Sequence, residues 1–303
     1  VKKVVSVSLG SASRDHRVQV DLLGERFDIA RIGTDGSLDK AIAALRALDG
    51  TVDALGLGGI DVYLYAGTDR YALRDGLRLL EAVKTTPVVD GSGLKNTLER
   101  GAVAFIVERL GIPLRGTRVL MVSALDRFGM AQALVQAGAD VVFGDFIFAL
   151  DLDRPVRGLD EFEEMARKYL PDACKLPFQF FYPTGKKQDR APQPKYPEYY
   201  EDAEIIAGDY HFMRQFMPER LDGKTILTNT VTAGDVDFLR ARGVARLITT
   251  TPDFGGRSFG TNVLEAALVA LLGKRVADVT EDDYRHLLRE LDLQPRVIEF
   301  QAV

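Results

Sequence analysis

Short apolar runs alternate with segments of helical spacing along the whole chain. Residues 2–9 (KKVVSVSL) and 26–32 (RFDIARI) predict two strands. Over 38–48, Leu38, Ile42, Leu45 and Leu48 fall on one helical face, while Asp39, Lys40 and Arg46 face water. Residues 52–57 predict a third strand, and 61–73 (DVYLYAGTDRYAL) a hairpin about a Gly-Thr-Asp turn. A helix at 75–84 leads to a short buried strand, TPVVD, and a helix at 96–110 joins two halves. The second half opens with a strand at 117–122, an Ala-rich helical segment, an AGAD link and an apolar run ending on Asp145. Strands recur at 204–207, 224–229 and 246–250, with a helix closed by Gly243 between the last two. A helix at 261–273 is apolar nearly all round, which predicts burial, and a charged amphipathic helix at 281–291 precedes an edge strand, RVIEF.

Strands alternating with helices imply an α/β protein whose sheets are mainly parallel and covered on both faces. We expect two such domains, the second Rossmann-like. Residues 1–110 form a substrate domain, and 111–303 carry the Rossmann-like domain with its C-terminal helices. A crevice lies between them. Residues 182–202 hold four prolines and four tyrosines without apolar periodicity, which reads as a long surface loop, a lid or an insertion.

Composition narrows the function. A chain of 303 residues suffices for two domains, and 46% hydrophobic with 27% charged residues suits an ordinary globular protein. No apolar run approaches the ~20 residues of a membrane span, and no signal peptide is read before Val4. Cys174 stands alone, so no intramolecular disulfide forms, and a cytoplasmic address is the expectation. A net charge of −5 without a basic block argues against nucleic acid. His16, His211 and His286 lack metal-ligand spacing, so no metal site is expected. The expected partner is a small anionic molecule, and a homodimer is compatible with the chain.

In parallel sheets the ligand sits beyond the carboxyl ends of the strands, so the loops there hold the candidate chemistry. In residues 8–16 (SLGSASRDH), small residues admit a ligand and Arg14 can grip an anion; the structural alternative is a turn capped by Ser13 or Asp15. Residues 56–61 (GLGGID) suggest close backbone approach or a bend before the hairpin. In 88–97 (VVDGSGLKNT), Asp90 and Lys95 can form an acid/base pair, or a structural salt bridge with Thr97 as helix cap. The turn at 123–129 has Ser123, Leu125 and Phe128 at the glycine positions of G-x-G-x-x-G, with Gly129 one place late. Asp126 adds negative charge where a pyrophosphate would sit; Arg127 is the candidate phosphate contact, with Asp126 otherwise a helix cap. Finally, 249–262 offers Arg257, Ser258, Thr261 and Asn262 at a helix start, an anion site or a loop capped by Thr261.

Asp145, roughly 20 residues beyond the turn, occupies the place of a ribose-binding carboxylate that favours NAD over NADP. His211 follows a strand near the expected nicotinamide position, although a lone histidine there is more often structural. Cys174 reads as packing.

The runs TPVVDGSGLK, SALDRFGMAQAL and LITTTPDFGGRSFGTNVLEAALVALLGK resemble bacterial proteins labelled quinate 5-dehydrogenase, over nearly the whole chain. More distantly, the order of elements resembles the shikimate/quinate dehydrogenase architecture. The resemblance implies NAD-dependent oxidation of a hydroxylated carboxylic acid such as quinate or shikimate. Lys95 then stands in for that family's lysine and Asp90 for its aspartate, although the surrounding motifs are absent, and Ser11 and Ser13 correspond loosely to its paired serines. In that reading Lys95 shuttles the hydroxyl proton, Asp90 holds the lysine, and Arg14 or Arg257 anchors the carboxylate. Ser123, Arg127, Gly129, Asp145 and His211 face the cofactor, while Ser11, Ser13, Arg14, Arg257, Ser258, Thr261 and Asn262 face the substrate. The missing glycines and Asp126 favour an alternative, a non-redox protein that binds or senses a small anionic metabolite. A lyase or transferase acting on a phosphorylated substrate is a third possibility.

Overall fold

The computed structural model describes residues 1–67, 69–180, 191–251 and 260–300. The first region runs β1 (Lys2–Ser8), β2 (His16–Leu22), β3 (Glu25–Gly33), α1 (Leu38–Leu48), β4 (Ala54–Gly58), β5 (Tyr63–Ala66), β6 (Asp69–Ala72), α2 (Arg74–Leu80) and β7 (Val88–Val89). Its five-stranded sheet has the order β2-β3-β1-β4-β7 and is parallel except for β2, which pairs antiparallel with β3. Strands β5 and β6 form the separate hairpin expected from its alternating residues. Strand β2 was not among the expected elements. Its residues alternate half-buried with exposed, the weak pattern of an edge strand.

The second region contains α3 (Ser92–Glu108), β8 (Arg118–Met121), α4 (Phe128–Gln136), β9 (Asp140–Phe143), β10 (Val156–Arg157), α5 (Leu159–Ala173), α6 (Pro197–Asp202), β11 (Ile205–Ala207) and α7 (Tyr210–Phe216). It ends with β12 (Thr225–Thr228), α8 (Ala233–Ala241), β13 (Arg246–Thr249), α9 (Thr261–Leu272), α10 (Glu281–Glu290) and β14 (Arg296–Glu299). The seven-stranded sheet has the order β10-β9-β8-β11-β12-β13-β14, with a parallel centre and an antiparallel strand at each edge. Met121, Phe143 and Ile205 pack with α4 and α5 on one face. Leu120, Ile206 and Ile226 pack with α7 and α8 on the other. The protein is therefore an α/β molecule of two mostly parallel sheets flanked by helices.

Helix α9 lies between β13 and β14 of the second sheet in sequence but covers the first. Val263, Ala266, Ala267 and Ala270 pack on Val4, Phe27, Ile29, Ala54 and Val89. Its opposite side meets Leu94 and Leu98 of α3 and Tyr284 and Leu287 of α10, which explains why the helix is apolar nearly all round. Strand β4 is built for this contact. Leu55 and Leu57 join the core containing Ala41 and Leu45 of α1, while Gly56 lies on the α9 side. A Cβ on Gly56 would come within 2.9 Å of the Asn262 carbonyl oxygen, so only glycine admits the helix at that depth.

Helix α5 ties the two regions together. Phe162 and Met165 enter the second core, whereas Ala166, Leu170 and Cys174 enter the first. Cys174 packs there as expected. Within 182–202, residues 197–202 form α6, and the fully buried Tyr200 donates its hydroxyl to the Met213 carbonyl at 3.0 Å. That part packs on the second domain, and residues 181–190 lie outside the described residues. No helix among the described residues is long and apolar enough to cross a membrane.

Candidate active cleft

Each sheet contains a topological switch point, where the strand order reverses and a crevice opens at the carboxyl ends. In the first sheet it falls between β1 and β4, in the second between β8 and β11. The loops leaving these four strands carry Arg14, Asp61, Ser123–Arg127 and Asp209–His211. The two switch points face each other. Arg14 Nη1 lies 2.9 Å from His211 Nε2, and Lys95 Nζ donates to the Asp126 carbonyl at 3.0 Å.

A charge network runs through this junction. Lys95, at the start of α3, is 8% exposed and donates to both carboxylate oxygens of Asp61 at 2.8 Å. Together with the Asp126 carbonyl, these contacts use all three of its protons. Burial pushes the Asp61 carboxyl up to about 6 against the attraction of Lys95. Burial also opposes the charge on Lys95, but Asp61 prevails and raises its pKa, so the pair is ionised at neutral pH. Arg127 is buried, with Nη1 donating to Glu99 at 2.6 Å and Nη2 to Asp209 at 3.2 Å. Burial opposes the Arg127 charge as well, and Glu99, Asp126 and Asp209 more than restore it. Burial works against the Asp209 charge, but Arg127 and the Phe212 N–H hold the carboxyl at about 2, so it stays ionised. In this buried network two cations, Lys95 and Arg127, meet four carboxylates, those of Asp61, Glu99, Asp126 and Asp209.

The expected acid/base pair is thus replaced. Asp90 does not hold Lys95. Its carboxylate accepts from Val62 N at 2.6 Å and from the Ser92 amide and hydroxyl at 2.9 and 2.6 Å. It is consumed in the turn that opens α3, because Gly91, at φ +94°, folds the chain back over it. Asp61, quoted within GLGGID but given no role, is the partner of Lys95. Glu99 and Asp209 were missed too. A buried glutamate inside a helix leaves no trace in the pattern, whereas Asp209 has the weak signal of an acid two residues beyond a strand end.

The expected dinucleotide contacts are also redirected. Asp145 is 6% exposed and accepts from Ala124 N at 3.0 and 3.1 Å and from Leu125 N at 3.1 Å. It therefore occupies the amides of the turn instead of reaching outward to a ribose, and burial pushes its carboxyl up to about 7. Glu99 accepts from Met130 N at 3.3 Å in the first turn of α4. Ser123 donates to Asp126 at 2.6 Å. Gly129 meets α3, where a Cβ would lie 3.0 Å from the Asn96 Cα, so its lack of a side chain serves helix packing. Arg127 is locked between Glu99 and Asp209. NAD does not fit this arrangement: the chain's own carboxylates hold the donors that a pyrophosphate needs, in a network already rich in negative charge.

Among the expected substrate contacts, Arg14 lies at the junction. Ser11 is buried, accepts from Ser13 N at 3.2 Å and shares a 2.8 Å hydrogen bond with the Ser13 hydroxyl. Thr261 does not cap α9; Gly260 stands at the cap position without a side-chain bond. Asn262 Nδ2 donates to Ser6 Oγ at 2.6 Å, pinning α9 to β1. Arg257 and Ser258 lie outside the described residues. His211 sits in the first turn of α7 and touches Arg14 from the opposite domain. Among the described residues no cluster of three or more His, Cys, Asp or Glu side chains is arranged to hold a metal ion.

Fold and cleft together define a two-domain α/β protein with paired switch points. The chain belongs to the family described as Domain of unknown function (DUF8754), whose model matches residues 93–300. A second model, Domain of unknown function (DUF8753), matches residues 3–90. No curated protein matches the chain. Similar solved structures include hetero-hexameric glutamate dehydrogenase from Thermus thermophilus, at 14% identity over 96% of this chain and 74% of that one, TM-score 0.42. The periplasmic ribose ABC transporter of Conexibacter woesei is 12% identical over 95% of both chains, TM-score 0.36. The NAD-dependent malic enzyme of Thermotoga maritima is 14% identical over 85% and 68%, TM-score 0.34. All three scores are low, and no activity passes from these proteins to this chain.

Proposed function

We propose that this protein binds a small hydroxylated carboxylic acid between its two domains, without a dinucleotide. The observation behind this reading is the meeting of the two switch points, where Arg14 of one domain touches His211 of the other. Ligands of parallel sheets bind at such points, and here the two lie against each other. Arg14 supplies a forked donor for a carboxylate. Asn229, Thr230 and Thr251, at the ends of β12 and β13, are bonded to Asp209 and to one another, which fixes the strand ends beside the junction.

The dehydrogenase reading loses its footing at the second switch point. Asp145 and Glu99 already satisfy Ala124 N, Leu125 N and Met130 N, and Asp145 is not available to a ribose. Lys95 has no proton left for a substrate hydroxyl, since Asp61 and Asp126 take all three. It serves as a clamp between the β4 loop, α3 and the β8 turn.

Calorimetric titration tests the proposal with quinate, shikimate, gluconate and related hydroxy acids. At least one acid binds the unmodified protein, and Arg14→Ala weakens it about 10- to 100-fold, the effect of losing a charge-assisted hydrogen bond of ~1.5–3 kcal/mol. Absence of binding by every acid, or equal binding to Arg14→Ala, overturns it.

A further inference from the structure

We propose that Arg14 and His211 together form an oxyanion subsite, and that binding there is accompanied by uptake of one proton on His211. The inference rests on the crevice reading above and names the ligand group that the crevice holds. Its starting point is a geometric constraint. A guanidinium only donates, so at 2.9 Å His211 Nε2 must be the acceptor. The imidazole is then neutral, with its proton on Nδ1.

The surroundings maintain that state. Burial lowers the His211 pKa, and Arg14 lowers it further; Asp209 acts the other way. The charged groups facing the ring are Asp209 just before α7, Arg214 one turn further along α7, Asp235 on α8 and Arg14 from the first domain. Asp209 is already engaged by Arg127, by Asn229 Nδ2 at 2.9 Å and by Phe212 N at 3.1 Å. On the first-domain side, Arg31 stands near enough to Arg14 to feel its charge and is bound to Asp15 at 2.8 Å.

An oxyanion arriving at Arg14 takes over the guanidinium protons and breaks the Arg14–His211 hydrogen bond. Nε2 then faces a negatively charged oxygen with nothing to donate. Protonation at Nε2 turns the acceptor into a donor, and the anion removes the like-charge penalty that Arg14 imposes on the imidazolium. The balance is simple: one anion and one solvent proton enter together, and no bond other than N–H is formed. A carboxylate, sulfate or phosphate oxygen fits this chemistry, and affinity rises as the pH falls from 8 towards 6.

The chain has only three histidines, His16, His211 and His286, so each imidazole can be followed by NMR. Their titrations are compared in sodium chloride and in sodium sulfate of equal ionic strength, with His211→Asn identifying the signal. Sulfate should raise the His211 pKa by at least about half a unit, a ~3-fold gain in proton affinity. The other two should not follow. Arg14→Ala should abolish the sulfate effect and Arg14→Lys should keep part of it. Identical His211 titrations in the two salts, or a shift that survives Arg14→Ala, overturn the subsite. A sulfate shift without hydroxy-acid binding keeps the subsite and discards the ligand class. Hydroxy-acid binding without a sulfate shift does the reverse.

Discussion

Asp145→Ala should destabilise the protein through two amides rather than through any lost ligand. The carboxylate accepts from Ala124 N and Leu125 N inside a buried turn, at 3.0–3.1 Å. A buried donor left without a partner costs ~1–3 kcal/mol, so removing the carboxylate should cost ~2–5 kcal/mol in all. Asp145→Asn keeps a carbonyl oxygen in place and should cost less than ~1.5 kcal/mol. Moreover, an amide lacks the desolvation that pushes the Asp145 carboxyl up to about 7. Urea unfolding followed by far-UV circular dichroism and tyrosine fluorescence measures both variants against the unmodified protein. A loss below ~1 kcal/mol for Asp145→Ala would refute the reasoning, because the turn amides would then have another partner. So would equal losses for alanine and asparagine, since the acceptor oxygen would then be irrelevant.

The pH dependence of stability follows from buried carboxyls. Glu265 is buried in α9, where it accepts from Gly91 N and the Tyr284 hydroxyl. Asp61 at about 6, and Asp145 and Glu265 at about 7, bind protons more tightly folded than unfolded. Their contribution is full below the unfolded values near 4 and is lost as pH rises through 6–7. His211, with a lowered pKa, takes back part of the gain on the acid side. Unfolding free energy should therefore fall by on the order of 2–4 kcal/mol from pH 5.5 to 7.5, and a rise across that window in urea titrations contradicts it. Lys95→Met strands the Asp61 carboxylate in a buried site and should cost ~3–5 kcal/mol, whereas Lys95→Met with Asp61→Leu should recover most of the loss. Failure of the second substitution to rescue stability would mean that Lys95 matters through its other contacts.

Much of the fold was legible because period and burial agree. The apolar run Val119 to Val122 became β8, the run ending on Asp145 became β9, and the helix apolar nearly all round became α9. Its placement on the first sheet was not legible, since Gly56 reads as a flexible loop residue until Asn262 is seen against it. Helix α5 did leave a signal, Phe162, Met165, Ala166 and Leu170 at helical spacing, but Pro171 obscured its end. In the cleft, Arg14, Lys95, Arg127, Asp145 and His211 stand out in the sequence from their places after strands. Their partners do not, because a pattern along the chain cannot show which acid reaches which base. Asp145 illustrates the limit: the spacing of a ribose-binding acid is equally the spacing of an acid that turns inward and caps the preceding turn.

Direct titration of NADH separates a dinucleotide enzyme from a cleft whose amides are filled from within. The chain has no tryptophan, so the nucleotide's own emission is read against a quiet background. No saturable enhancement should occur up to millimolar NADH, in the unmodified protein or in Asp145→Asn. Saturation at micromolar NADH would contradict the internal role assigned to Asp145 and Glu99, and would restore the dehydrogenase reading.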